Sequence, residues 1–182
     1  MPTLTLYPNA DVSVTMSQYG EGTGNYGRIN ETTQDDTDGV TTADTSGQVD
    51  LYGLPDPSQD GTINKVTVHF RARWAHTGTS INQSYATPQV RIGGTTYSAT
   101  AQALGNTFQG YSRAWTTNPN TESAWTWQNI NDLVAGIRLN AGRYGSHKTL
   151  GEAYCSQLWV VVDYNEPVAN KLPAHLFFQG VR

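Results

Sequence analysis

The chain has 182 residues, of which only 14% are charged, and its formal net charge is −4. That length accommodates one domain with a sizeable core. The acidic balance argues against nucleic-acid binding, which needs a basic patch to displace counterions, and no apolar run is long enough to span a membrane. The 24 threonines and 18 glycines suit short strands with uncharged outer faces and many tight turns. The opening Met1-Pro-Thr-Leu-Thr-Leu-Tyr-Pro8 has neither a basic n-region nor an apolar h-region, and Cys155 is the single cysteine. Synthesis and folding in a reducing cytoplasm are therefore expected, with no intrachain disulfide.

In chain order, residues 4 to 14 alternate through Leu4, Leu6, Val12 and Val14 around Tyr7-Pro-Asn-Ala10, the pattern of an N-terminal strand. Residues 17 to 47 are rich in Gly, Asn, Thr, Asp and Ser and predict a long surface excursion, with a weak strand near Tyr26 to Ile29. From Val66 the period is two: Val66, Val68, Phe70, Ala72 and Trp74 alternate with Thr67, His69, Arg71 and Arg73. Val90 and Ile92 lead through Gly93-Gly94 to Tyr97, which predicts a hairpin with a two-residue turn. Tyr111 to Trp115 is a further strand. Trp127, Ile130, Leu133, Val134 and Ile137 fall at helical spacing, so one short helix is expected at about 126–135, with Thr126 as N-cap and Gly136 as C-terminal cap. Leu158, Val160, Val162 and Tyr164 form one face of the last strand, with Trp159 and Val161 on the other.

About eight strands with one lone helix predict an all-β fold, an antiparallel β-sandwich of jelly-roll type. The domain is expected to cover residues 1–164. Beyond it, residues 165–182 carry Pro167, Pro173 and an apolar knot at Leu176, Phe177 and Phe178, and read as an extended C-terminal arm.

Chemistry-bearing motifs are few. Gly22-Thr-Gly-Asn-Tyr-Gly27 matches the letters of a dinucleotide fingerprint, but the residues after it lack a helical apolar face, so a glycine-rich surface loop is expected and no cofactor. Asp35, Asp36 and Asp38 before Gly39 supply oxygen ligands of the kind calcium takes, the sole metal candidates, although Gln34 and Thr45 break the EF-hand pattern and a solvated turn is the expectation. His69, His76, His147 and His175 show no ligand spacing, and no Gly-x-Ser-x-Gly elbow is present. No catalytic residue is assigned. Trp74, Trp125 and Trp127 are expected in the core, while Trp159 shares its face with Gln157 and Asp163 and is a candidate contact residue. Leu176, Phe177 and Phe178 are candidates for docking the arm on a partner.

Several blocks carry a resemblance: Leu6-Tyr-Pro-Asn-Ala-Asp11, Val66-Thr-Val-His-Phe-Arg-Ala-Arg73, Arg91-Ile-Gly-Gly-Thr-Thr-Tyr97, Thr117-Asn-Pro-Asn-Thr-Glu-Ser-Ala-Trp-Thr-Trp127, Leu133-Val-Ala-Gly-Ile-Arg-Leu139 and Gln157-Leu-Trp-Val-Val-Val-Asp-Tyr164. In this order they resemble uncharacterised jelly-roll structural proteins of tailed bacteriophages and related viruses, over residues 4 to 164. The resemblance implies a non-enzymatic virion protein, made in the host cytoplasm. It would be a capsid decoration or surface protein that binds the major capsid protein or another virion protein and self-associates. The opening block also resembles carbohydrate-binding β-sandwich modules, which implies an alternative: recognition of host glycans on a tail or fibre.

Overall fold

The computed structural model describes residues 1–75, 83–142 and 151–167. Two antiparallel sheets of six strands pack face to face. Strands β1 (Thr3–Leu6), β3 (Ser17–Tyr19), β4 (Gly39–Thr42), β6 (Thr62–Ala75), β10 (Gln109–Trp115) and β12 (Glu152–Asn165) form the first sheet. Strands β2 (Ala10–Ser13), β5 (Gln48–Gly53), β7 (Tyr85–Ile92), β8 (Thr95–Ser98), β9 (Gln102–Ala103) and β11 (Val134–Asn140) form the second. The order β4-β12-β6-β10 facing β5-β11-β7-β8 is that of a jelly roll.

The alternation read in β6 and β12 sets the core. Val66, Val68, Phe70 and Ala72 of β6, with Leu158, Val160 and Val162 of β12, are fully buried between the sheets. They meet Val90 of β7 and Ala135, Ile137 and Leu139 of β11. The Gly93-Gly94 turn joins β7 to β8, both glycines having positive φ. Trp125 is buried and donates from Nε1 to the Trp115 carbonyl at 3.1 Å. Trp74 and Trp127 are only partly buried against the core, and Trp127 donates to the Gly61 carbonyl and meets the Tyr164 ring edge-on.

Four local expectations are corrected. Residues 4–14 are two strands in different sheets; Val12, on the exposed edge strand β2, and Val14, just past its end, both face solvent. Residues 26–28 form a 3-10 turn, held because Asp11 accepts from the amides of Asn25 (3.0 Å) and Tyr26 (2.7 Å). Residues 17 to 47 are not a free surface loop: the short strands β3 and β4 lie within them, and Asn25, Ile29 and Val40 tie the segment into the core, while residues 31–37 stay on the outside. The helix, α1, spans only Trp127–Asn131, although Thr126 does cap it in a reciprocal capping box with Asn129. Val134 and Ile137 belong to β11, and Gly136 is no cap: a Cβ there would lie 2.2 Å from the Asp50 carbonyl. Residues 168–182, including Leu176, Phe177 and Phe178, lie outside the described residues, so the expected arm does too; β12 itself runs one residue past the expected domain boundary.

Asp50 is the one carboxylate fully buried between the sheets among the described residues. It accepts from the Thr15 amide (2.6 Å), the Met16 amide (3.0 Å), Asn25 Nδ2 (2.6 Å) and the Tyr52 hydroxyl (3.0 Å). All four partners are donors, which suits an acceptor-only group. Asp50→Asn should therefore cost about 3 kcal/mol in chemical denaturation, because an amide would turn a donor towards donors. Trp125→Ala should cost about 3–5 kcal/mol and Trp127→Ala less, in proportion to their burial.

Candidate functional site

Strand β12 has two partners on one edge. Residues Ala153–Cys155 pair with β4 and residues Val160–Asp163 pair with β1, which leaves a gap between them. The chain after the 3-10 turn fills it: the Leu158 amide donates to the Ile29 carbonyl at 2.8 Å. A bulge at Ser156 then turns two consecutive side chains outward, where one is usual. Ser156 donates to Asp36 Oδ1 at 2.9 Å, and Gln157 Nε2 donates to the carbonyls of Glu31 (3.2 Å) and Thr33 (2.7 Å). Residues 31–36 are thus pinned upright as a wall on the outer face of the first sheet.

Below that wall lies a groove of about 330 Å³. Trp159, Arg71, Gln157 and Gly110 form its floor, with Glu31, Thr32 and Gln34 on one side and Tyr7 on the other. Trp159 pairs across strands with His69, and the two rings stack at 5.1 Å with 9° between their planes. Burial holds the His69 imidazole below its ordinary value, with Asp163 opposing and Lys65 assisting, which favours the neutral ring. The residues flanking the stack across the sheet are small. Gly110, Ser112 and Ala114 of β10 are exposed on one side, and Thr3 and Thr5 of β1 are exposed on the other. Along the strands the stack is flanked by Arg71 and Val161 and, further on, by the Lys65–Asp163 ion pair, so its open sides are those towards β10 and β1.

Charges near the groove are mostly cancelled. Arg71 holds Asp36 in a bidentate fork, Nε to Oδ1 and Nη2 to Oδ2, both 2.7 Å. That contact is the main reason the Asp36 carboxyl stays below its ordinary range. Glu31 differs. Burial lifts its carboxyl from 4.5 to about 7, its own backbone amide opposes, and Asp38 and Asp35 push the same way as burial. Its Oε2 is shielded from water without a hydrogen-bond partner.

Trp159, the expected contact residue, is half-buried on the outer face and lines the groove. The aspartates do not converge: Asp36 serves Arg71 and Ser156, Asp35 takes the amide and hydroxyl of Thr37, and Asp38 is nine-tenths buried with Oδ1 unpartnered. Among the described residues, no three His, Cys, Asp or Glu side chains gather as a metal site. Residues 22–27 carry no helix behind them; Arg28 folds back to donate to the Gly22 carbonyl at 2.9 Å. Sequence reasoning did not single out His69, Glu31 or Gln157. The available signal was weak: His69 and Gln157 sit on the polar phase of two alternating strands. A larger, more open hollow of about 560 Å³ beside Tyr85 and Asn140 adjoins, through Gln83 and Gly142, segments outside the described residues.

No family model matches the chain, and no curated protein does. Among solved structures it is similar to a "Family 16 Carbohydrate Binding Module-2" (9% identity, 72% of this chain and 82% of that one, TM-score 0.38). It is also similar to a "Family 11 Carbohydrate-Binding Module from Clostridium thermocellum in complex with beta-1,3-1,4-mixed-linked tetrasaccharide" (9% identity, 91% and 90%, TM-score 0.41). A third is titled "CBM4 structure and function" (9%, 70% and 87%, TM-score 0.25).

The raised carboxyl of Glu31 sets a pH dependence. Between pH 4.5 and about 7 the folded chain holds a proton that the unfolded chain releases, so stability falls as pH rises through that window. Against the opposite contribution of His69, Glu31→Gln should raise the melting temperature at pH 8 relative to pH 5 when each is compared with the parent chain.

Proposed function

We propose that this protein is a non-catalytic recognition module that binds a glycan on the outer face of its first sheet. The observation that carries the reading is the Trp159–His69 stack, flanked across the sheet by the small residues Gly110, Ser112, Ala114 and Thr5. A sugar ring offers an apolar face of C–H bonds and an equator of hydroxyls. The aromatic pair supplies the surface for the first, and the groove supplies polar partners for the second. Gln34 and Thr32 stand on the wall, and the Gln157 amide is already fixed by two carbonyls. A pre-ordered site of this kind loses little side-chain freedom on binding.

The sequence resemblance supports placing such a module on the surface of a virus particle. It also supports a second reading, attachment to a viral shell through protein contacts. The same face favours that reading too, since interface cores are rich in Trp and poor in charge.

Trp159→Ala separates the two. A glycan array followed by calorimetry should show binding that the variant weakens about tenfold or more, at unchanged melting temperature. Failure of a broad array to yield any ligand, with loss of particle binding in the variant, would place Trp159 in a protein interface and overturn the glycan reading.

A further inference from the structure

Strand β6 projects His69, Arg71 and Arg73 in succession from the outer face of the first sheet. The three side chains are used differently. His69 is stacked, and Arg71 is spent on Asp36. Arg73 is ordered but uncommitted. Its guanidinium lies 4.4 Å from the ring centroid of Tyr154 and 4.9 Å from that of Phe108, so aromatic rings hold it in place. Tyr154 is itself braced edge-on by Tyr19, at 5.3 Å. Among the described residues no carboxylate forms an ion pair with Arg73, and no group accepts a hydrogen bond from it. Glu152, the nearest acid along β12, receives the Tyr154 hydroxyl. The Arg73 nitrogens are not among the buried polar atoms without partners, and the side chain keeps partial exposure. Among the described residues the fold thus presents a cation held by aromatic rings whose N–H donors meet no acceptor, in a chain whose net charge is −4.

We propose that Arg73 is a second subsite of the glycan-binding face, taking the carboxylate or sulfate of an acidic oligosaccharide whose neighbouring ring lies against Trp159. This rests on the glycan reading and narrows it to a ligand class. His69 and Arg73 are four residues apart on one strand, about 13 Å between their Cα atoms. One sugar ring does not span that distance, so the acid belongs to a different unit from the stacked ring. Between the two subsites stands the Arg71–Asp36 pair, whose charges cancel, so the anion is attracted to Arg73 alone. A guanidinium pinned between rings has little freedom left to lose, and its planar fork matches the oxygens of a carboxylate or sulfate.

The test uses the full chain and matched oligosaccharides, each in neutral, carboxylate-bearing and sulfate-bearing form, screened by array and then measured by calorimetry. At least one acidic form should bind about tenfold more tightly than its neutral match, and added salt should erode that margin. Arg73→Gln should abolish the margin while leaving neutral binding within about twofold, and Arg73→Lys should retain part of it. Trp159→Ala should weaken both forms, and the melting temperatures of all three variants show that each is folded. The carboxylate and sulfate arms identify which acid is taken. Equal affinity for neutral and acidic forms, or acidic binding untouched by Arg73→Gln, overturns the Arg73 subsite and leaves the glycan reading standing. Absence of binding to every form overturns both.

Discussion

The fold depends on a carboxylate placed where carboxylates are costly. Asp50 sits between the sheets and, among the described residues, pairs with no cation; four donated hydrogen bonds there compensate its removal from water. Those donors come from three places in the chain: the link after β2, the residue before the 3-10 turn, and β5 itself. Asn25 passes the constraint on, because its side chain also accepts from Gln18 while its amide is held by Asp11. The turn it starts delivers Ile29 to the unpaired stretch of β12. A buried acid far from the groove thereby decides where the wall of the groove can begin.

The wall itself follows from an imperfection in β12. A regular strand would alternate one residue in and one out, and a single outward side chain would meet residues 31–36. The bulge gives two, Ser156 and Gln157, which bind three different acceptors in that segment. Arg71 from the neighbouring strand grips the same Asp36. This multiple anchoring keeps the segment off the floor, so Trp159 and His69 stay uncovered. It also leaves Glu31 shielded beside Asp38, and burial there makes ionisation unfavourable.

The long strands and the hairpin were legible because their information is local. Alternation in Val66 to Trp74 and Leu158 to Tyr164, the Gly93-Gly94 turn and the Thr126 cap each need only adjacent residues. Strand β5 was not legible, since Val49-Asp50-Leu51-Tyr52 breaks the alternation with an inward aspartate, three of whose four donors lie 25 to 35 residues away. The overlong helix reading had a different cause. Leu133, Val134 and Ile137 fit a helical face, yet Leu133, Ala135, Ile137 and Leu139 also fit a strand, and pairing with both β5 and β7 favoured the second. Trp159 could be picked as an outward aromatic, but nothing local sets His69 opposite it. That register comes from pairing two strands far apart in sequence. Arg73 was visible as a polar position only; its aromatic clamp arises from loop and strand residues brought together by the fold.

The placement of β1 beside β12 has a mechanical consequence. The two strands run antiparallel, with Thr3 opposite Asp163 and Leu6 opposite Val160, and the Tyr164 amide donates to the Pro2 carbonyl. The start of β1 and the end of β12 therefore leave the sandwich from the same side. Tension drawn between them acts across the rungs of the ladder and opens them one at a time, as a zipper opens. Tension applied along a strand would instead load all its rungs together. A module held by one end resists such opening, whereas one strung between two anchors would yield first at β1. Its loss would uncover the outer edge of β12 beside Val161 and Trp159.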